Sequence, residues 1–84
     1  MRLPIIKHLV EFIEQNDADY IEETISVLEH LTESSNIKDQ EIDVIGELLS
    51  NLYGAVEVNE AIMNGSNKKD ALNEFMQRVK GSIN

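Results

Sequence analysis

Two histidines, His8 and His30, each stand three residues before a glutamate, Glu11 and Glu33. On a helix that spacing puts imidazole and carboxylate on one face. A carboxylate-bridged dimetal site needs the opposite order, Glu-x-x-His, on facing helices. The positions that would have to be glutamate hold Ile5 and Val27. No metal site is expected, and both histidines are assigned to helix surfaces or boundaries. The chain has no cysteine, which removes disulfides, thiolate metal sites and thiol catalysis. General acid–base work needs carboxylates in a desolvated pocket, whereas the acids here fall mostly on polar faces. Glu60 is the exception, close to the centre of an apolar stripe, and is read as a carboxylate reaching solvent at a helix end. No glycine-rich phosphate loop and no Ser–His–Asp set can be recognised. The expectation is a protein that is not an enzyme and carries no cofactor.

The charge is uneven. Formal net charge is -9 over 84 residues. Residues 1–16 balance Arg2 and Lys7 against Glu11 and Glu14. Residues 17–33 hold six acids and no Lys or Arg, and residues 34–64 hold six acids against Lys38. Residues 65–84 reverse the sign, with Lys68, Lys69, Arg78 and Lys80 against Asp70 and Glu74. An acidic body repels phosphate backbones, so nucleic acid is not an expected partner. No run approaches the ~18 apolar residues of a membrane span, and the opening MRLPIIKHLVEFIEQ lacks the cleavage site of a signal peptide. A cytoplasmic protein without a membrane partner is expected.

The elements that would position these residues are helices. Apolar residues recur at three and four, and alternation at period two is absent. The fold expected is all-α: one domain over residues 1–84, a four-helix bundle-like arrangement around a long central third helix. The first helix runs from about Pro4 to Gln15, with Pro4 in the first turn. Its stripe is Ile5, Ile6, Leu9, Val10, Phe12 and Ile13. The second runs from about Ala18 to Thr32, capped by Asp17, with Tyr20, Ile21, Ile25, Leu28 and Leu31 on one face. A polar loop, ESSN, follows. The third runs from about Lys38 to Asn64, its start capped by Ser35 or Asn36 and its end set by Asn64-Gly65. The fourth runs from about Lys68 to Lys80, with Asn67 or Ser66 as cap and Gly81 as stop.

The third helix carries the informative anomaly. At about 100° per residue, its apolar residues cover more than half the circumference, wider than an ordinary surface stripe. Beside them Gly46, Ser50 and Gly54 form a ridge of small residues at spacing four, and each glycine costs roughly 0.8–1 kcal/mol in a helix interior. Spacing-four ridges serve the commonest helix crossing. Three readings follow: a shallow groove for another backbone, a kink, or incidental tolerance of small residues on a solvated face beside acids. The groove reading makes this helix the core of a homodimer interface, built from Gly46, Leu49, Ser50, Leu52, Tyr53, Gly54 and Val56, with Tyr53 as aromatic anchor. Leu49, Leu52, Tyr53 and Val56 read equally well as intramolecular core. The rival function is an acidic adaptor that docks a basic protein partner through Asp19, Glu22, Glu23, Glu29 and Glu33 on the second helix.

Two resemblances bear on this. In size, charge and helix count the chain is similar to acyl carrier proteins. Their prosthetic group hangs on the serine of Asp-Ser-Leu at the start of the second helix, and Glu33-Ser34-Ser35-Asn36-Ile37 lacks both the aspartate and the leucine. The run DVIGELLSNLYGAVEVNEAI, the tail KKDALNEFMQRVKGSI and the opening RLPIIKHLVEFIE resemble a family of small uncharacterised all-helical proteins of Bacteroidetes-type bacteria, a domain of unknown function, over the whole chain. That resemblance implies no activity and no catalytic residues. It implies genes beside thioredoxin or peroxiredoxin genes, where a cysteine-free chain would be an accessory to the pathway.

Overall fold

The computed structural model describes residues 1–83, with side chains through Lys80. Four helices follow one another: α1 (Leu3–Gln15), α2 (Ala18–Leu31), α3 (Asp39–Met63) and α4 (Lys68–Ile83). The chain is all-α among the described residues. Their ends have local causes. Pro4 sits in the first turn of α1, where its missing N–H breaks no bond. Asp17 caps α2 by accepting from the Asp19 N–H at 2.9 Å. At α4, Asn67 Oδ1 accepts from the Asp70 N–H at 2.8 Å while its Nδ2 donates to Asp70 Oδ2 at 2.9 Å. Gly65 closes α3 with φ of 112°, a left-handed conformation that suits glycine.

Two helix ends differ from the sequence reading. Neither Ser35 nor Asn36 caps α3. The N-cap is Lys38, whose N–H donates to Glu41 Oε1 at 2.9 Å, so the glutamate three residues on satisfies the helix start. Gly81 does not stop α4, which continues to Ile83. A helical glycine costs only about 1 kcal/mol, and the stop is not obligatory.

All three other helices pack on α3. The core is one cluster: Ile6, Val10 and Ile13 of α1, Ile21 and Ile25 of α2, Leu52, Ala55 and Val58 of α3, and Ala71, Leu72 and Phe75 of α4. No kink is needed for this, and α3 is continuous through Gly46 and Gly54. The register of α1 on α3 is set at its start. The Arg2 N–H donates to Asn51 Oδ1 at 2.9 Å, and the Met1 amine meets Glu47 Oε1 at 2.8 Å. One turn later Ile6 reaches Gly54. So α1 begins level with the middle of α3 and runs parallel to its second half. The radius of gyration is 13.7 Å, above the ~12 Å of a compact domain this size. The extents, 43 × 34 × 17 Å, describe a flat molecule.

Candidate functional site

The residues assigned to a self-interface separate into two groups. Leu52 and Gly54 are buried in the chain's own core. A Cβ on Gly54 would sit 2.9 Å from Ile6 Cδ1 and 3.1 Å from Phe75 Cζ. The close approach that the small ridge announced is therefore real, but it is made by side chains of α1 and α4 rather than by another backbone. Leu49 and Val56 are half-buried against the same cluster, and Ser50 is half-buried. Gly46 is exposed, with nothing within 4 Å of its Cβ position. Tyr53 is half-exposed and its hydroxyl donates to Glu29 Oε2 on α2. That hydrogen bond, then partial desolvation and the carboxylate's charge, hold the phenol above its usual value.

Asn51 is the functional-looking residue that pattern reading passed over. It is 3% exposed. Its Oδ1 takes the Arg2 N–H and its Nδ2 donates to the Glu47 carbonyl at 3.0 Å, so both ends of the amide are satisfied. Its signal was a polar residue inside the second apolar sector of α3, between Val58 and Val44 on the helical wheel. Beside it, the Glu47 carboxyl is held below its usual value, first by the hydrogen bond from the Met1 amine and then by that group's charge.

Of the five acids assigned to a docking face, four lie on α2 and Glu33 just after it. Asp19, Glu22, Glu23, Glu29 and Glu33 are exposed. Glu29 is engaged by Tyr53, and Glu33 lies 3.3 Å from His30. His8 lies 3.8 Å from Glu11, and both imidazoles are on the surface. Glu60 is exposed. No cluster of three or more His, Asp or Glu could hold a metal ion among the described residues. Among the described residues, no helix is long and apolar enough to cross a membrane. Ser34 and Ser35 lie in the α2–α3 loop, not at a helix start.

Large apolar side chains are exposed at several places, Val27 and Met63 among them; one group lies beside a groove at the loop end of the α2–α3 hairpin. Because α1 begins at the level of Asn51, it does not run alongside the first turns of α3. There Leu31, Val44 and Leu48 stay 45%, 60% and 47% exposed. A groove of about 670 Å³ opens beside them, with Leu31, Ile37, Val44 and Ile45 as its apolar lining and Ser34, Asn36, Gln40 and Glu41 as its polar edge. Val44 and Leu48 stand four residues apart and so share one face of α3. A second groove, of about 660 Å³, lies between α1 and α4 and is lined by Leu3, Leu72 and three lysines.

The family model described as Family of unknown function (DUF6952) matches residues 1–84, the full length given, and the chain belongs to that family. No curated protein and no solved structure gives a significant match.

Proposed function

We propose that this member of a family of unknown function is a non-catalytic interaction module that self-associates as a homodimer through the loop end of its α2–α3 hairpin. The observation that carries this is the exposure of Leu31 and Val44 in the groove, with Leu48 exposed one turn on from Val44. Two considerations favour a second copy as the occupant. A chain of 84 residues buries only about 60–65% of its unfolded surface, and small domains gain most from oligomerising. In a two-fold dimer the same patch of each copy meets the other, so an apolar shelf would be covered by its own counterpart. On this reading the interface lies on the first half of α3 rather than at Leu52 and Gly54.

The competing function is the acidic adaptor. What favours it is that Asp19, Glu22 and Glu23 are exposed on one helix with no Lys or Arg between residues 17 and 33. A role as accessory to a thioredoxin or peroxiredoxin pathway would fall under this reading. The two differ in salt response, because exposed charge pairs are screened and apolar contacts are not.

Light scattering at two protein and two salt concentrations tests the choice. A salt-insensitive mass of twice the chain is expected. A strict monomer at the highest concentration overturns self-association and moves the acidic adaptor to first place.

A further inference from the structure

The groove between α1 and α4 has a chemistry unlike the rest of the molecule. Leu3 and Leu72 give it an apolar floor, and Lys7, Lys68 and Lys69 line its walls together with Glu11 and Asn73. Three of the seven Lys and Arg of a chain with net charge -9 thus converge on one groove. Lys68 is engaged, its Nζ 3.1 Å from Glu14 and 3.9 Å from Glu11. Lys7 and Lys69 are exposed and form no ion pair among the described residues. The remote acids do not cancel this field. At physiological ionic strength charges beyond about 8 Å are largely screened. Nearby stand three ammonium groups and the carboxylates of Glu11, Glu14 and Asp70; Lys68 pairs with Glu11 and Glu14, Asp70 bonds Asn67, and Lys7 and Lys69 are the ammoniums left to meet a ligand.

We infer that the α1–α4 groove docks an acidic amphipathic helix of a partner protein, its apolar face on Leu3 and Leu72 and its carboxylates on Lys7 and Lys69. A small anion would make no use of the apolar floor, and an apolar helix would leave the lysines unanswered. A helix with one apolar and one acidic face uses both, in the helix-in-groove mode. Its carboxylates would displace no existing ion pair, so the charge term is not offset by a broken contact. The groove shares no residue with the α2–α3 groove, so the failure of one assignment leaves the other standing.

The probe is a designed peptide with leucines on one helical face and glutamates on the other, titrated into the isotope-labelled full chain and followed by NMR. Saturable shifts at the amides of Lys7, Leu72 and Asn73 are expected. The double variant Lys7→Glu, Lys69→Glu should raise the apparent Kd by at least about tenfold, with unchanged circular dichroism because both side chains are exposed. The neutral variants Lys7→Gln and Lys69→Gln should each give a smaller rise. Absence of saturable shifts, shifts centred on Val44, unchanged affinity in the variants, or equal binding of a lysine-for-glutamate control peptide would each overturn the assignment. So would a fall in the solution mass of the double variant alone, which would identify a second copy as the occupant.

Discussion

The Cδ1 of Ile6 lies 2.9 Å from the point that a Cβ on Gly54 would occupy. Ile6 is fully buried, and the ring edge of Phe75 comes within 3.1 Å of the same point. Three helices therefore meet where α3 has no side chain. The missing Cβ is what lets α1 and α4 converge on one turn of α3, and with the Arg2–Asn51 hydrogen bond one turn earlier it fixes where α1 lies. Everything that is open at the other end of α3 follows from that placement.

The two glycines of α3 should therefore answer substitution with opposite signs. Gly46 faces open space, so Gly46→Ala should stabilise by about 0.8–1 kcal/mol, the helix-interior difference between the two residues. Gly54→Ala gains the same amount but overpacks the core, which costs about 1–3 kcal/mol. A net loss of about 1 kcal/mol is expected by urea denaturation. Ile6→Val removes the nearest methyl, so the cost of Gly54→Ala should shrink in that background. Equal effects at the two glycines would contradict the packing described.

Asn51 should prove more costly to remove than its single position suggests. Asn51→Ala leaves the Arg2 N–H without its acceptor and opens space beside it, a loss of about 1–3 kcal/mol for an unsatisfied group at a partly buried site. Asn51→Leu fills the space and still strands the N–H, so it should not recover the loss. If Asn51→Leu is as stable as the parent chain, the amide does not position α1.

The helices were legible in the sequence because each carries its own period and punctuation. Asp17, Asn67 and Gly65 act locally, and their roles could be read from neighbours within three residues. The close approach at Gly54 was legible too, as a small residue in a strong helix. What approaches it was not, since Ile6 lies 48 positions away and only tertiary placement brings it there. The same limit explains Leu48 and Leu52. They are one turn apart on α3 and equally apolar, yet Leu52 is core and Leu48 is half-exposed. The difference is the starting point of α1, which depends on Asn51, a residue whose importance lies in a partner remote in sequence.

The phenol of Tyr53 should report the α2–α3 contact through pH. Its hydrogen bond to Glu29 holds its pKa above the usual 10. A raised folded-state value means the contact contributes fully below the unfolded pKa and is lost as pH rises through the folded one. In a Tyr20→Phe background, ultraviolet titration reads Tyr53 alone. Its midpoint should lie above 10 and fall on Glu29→Gln. The alkaline loss of stability should also be smaller in Tyr53→Phe. A midpoint indifferent to Glu29→Gln would remove the hydrogen bond from the account.

The decisive substitutions for self-association are Val44→Lys and Leu48→Lys. Both side chains are already about half exposed or more, so an isolated chain should tolerate lysine within about 0.5 kcal/mol, as for an ordinary surface change. Lysine is also the better helix former than valine. Each change makes the net charge less negative and so weakens repulsion between two copies. Electrostatics alone would then favour association. A fall in solution mass from dimer to monomer, with the unfolding midpoint corrected for protein concentration unchanged, comes from losing the apolar contact or from burying an ammonium in it, and either puts Val44 and Leu48 in the interface. The corresponding change at an exposed site off the shelf, Glu22→Lys, should leave the mass unaltered. If Val44→Lys and Leu48→Lys remain dimeric, the shelf is not the self-interface. If Glu22→Lys is the variant that dissociates, the association runs through the acidic face of α2.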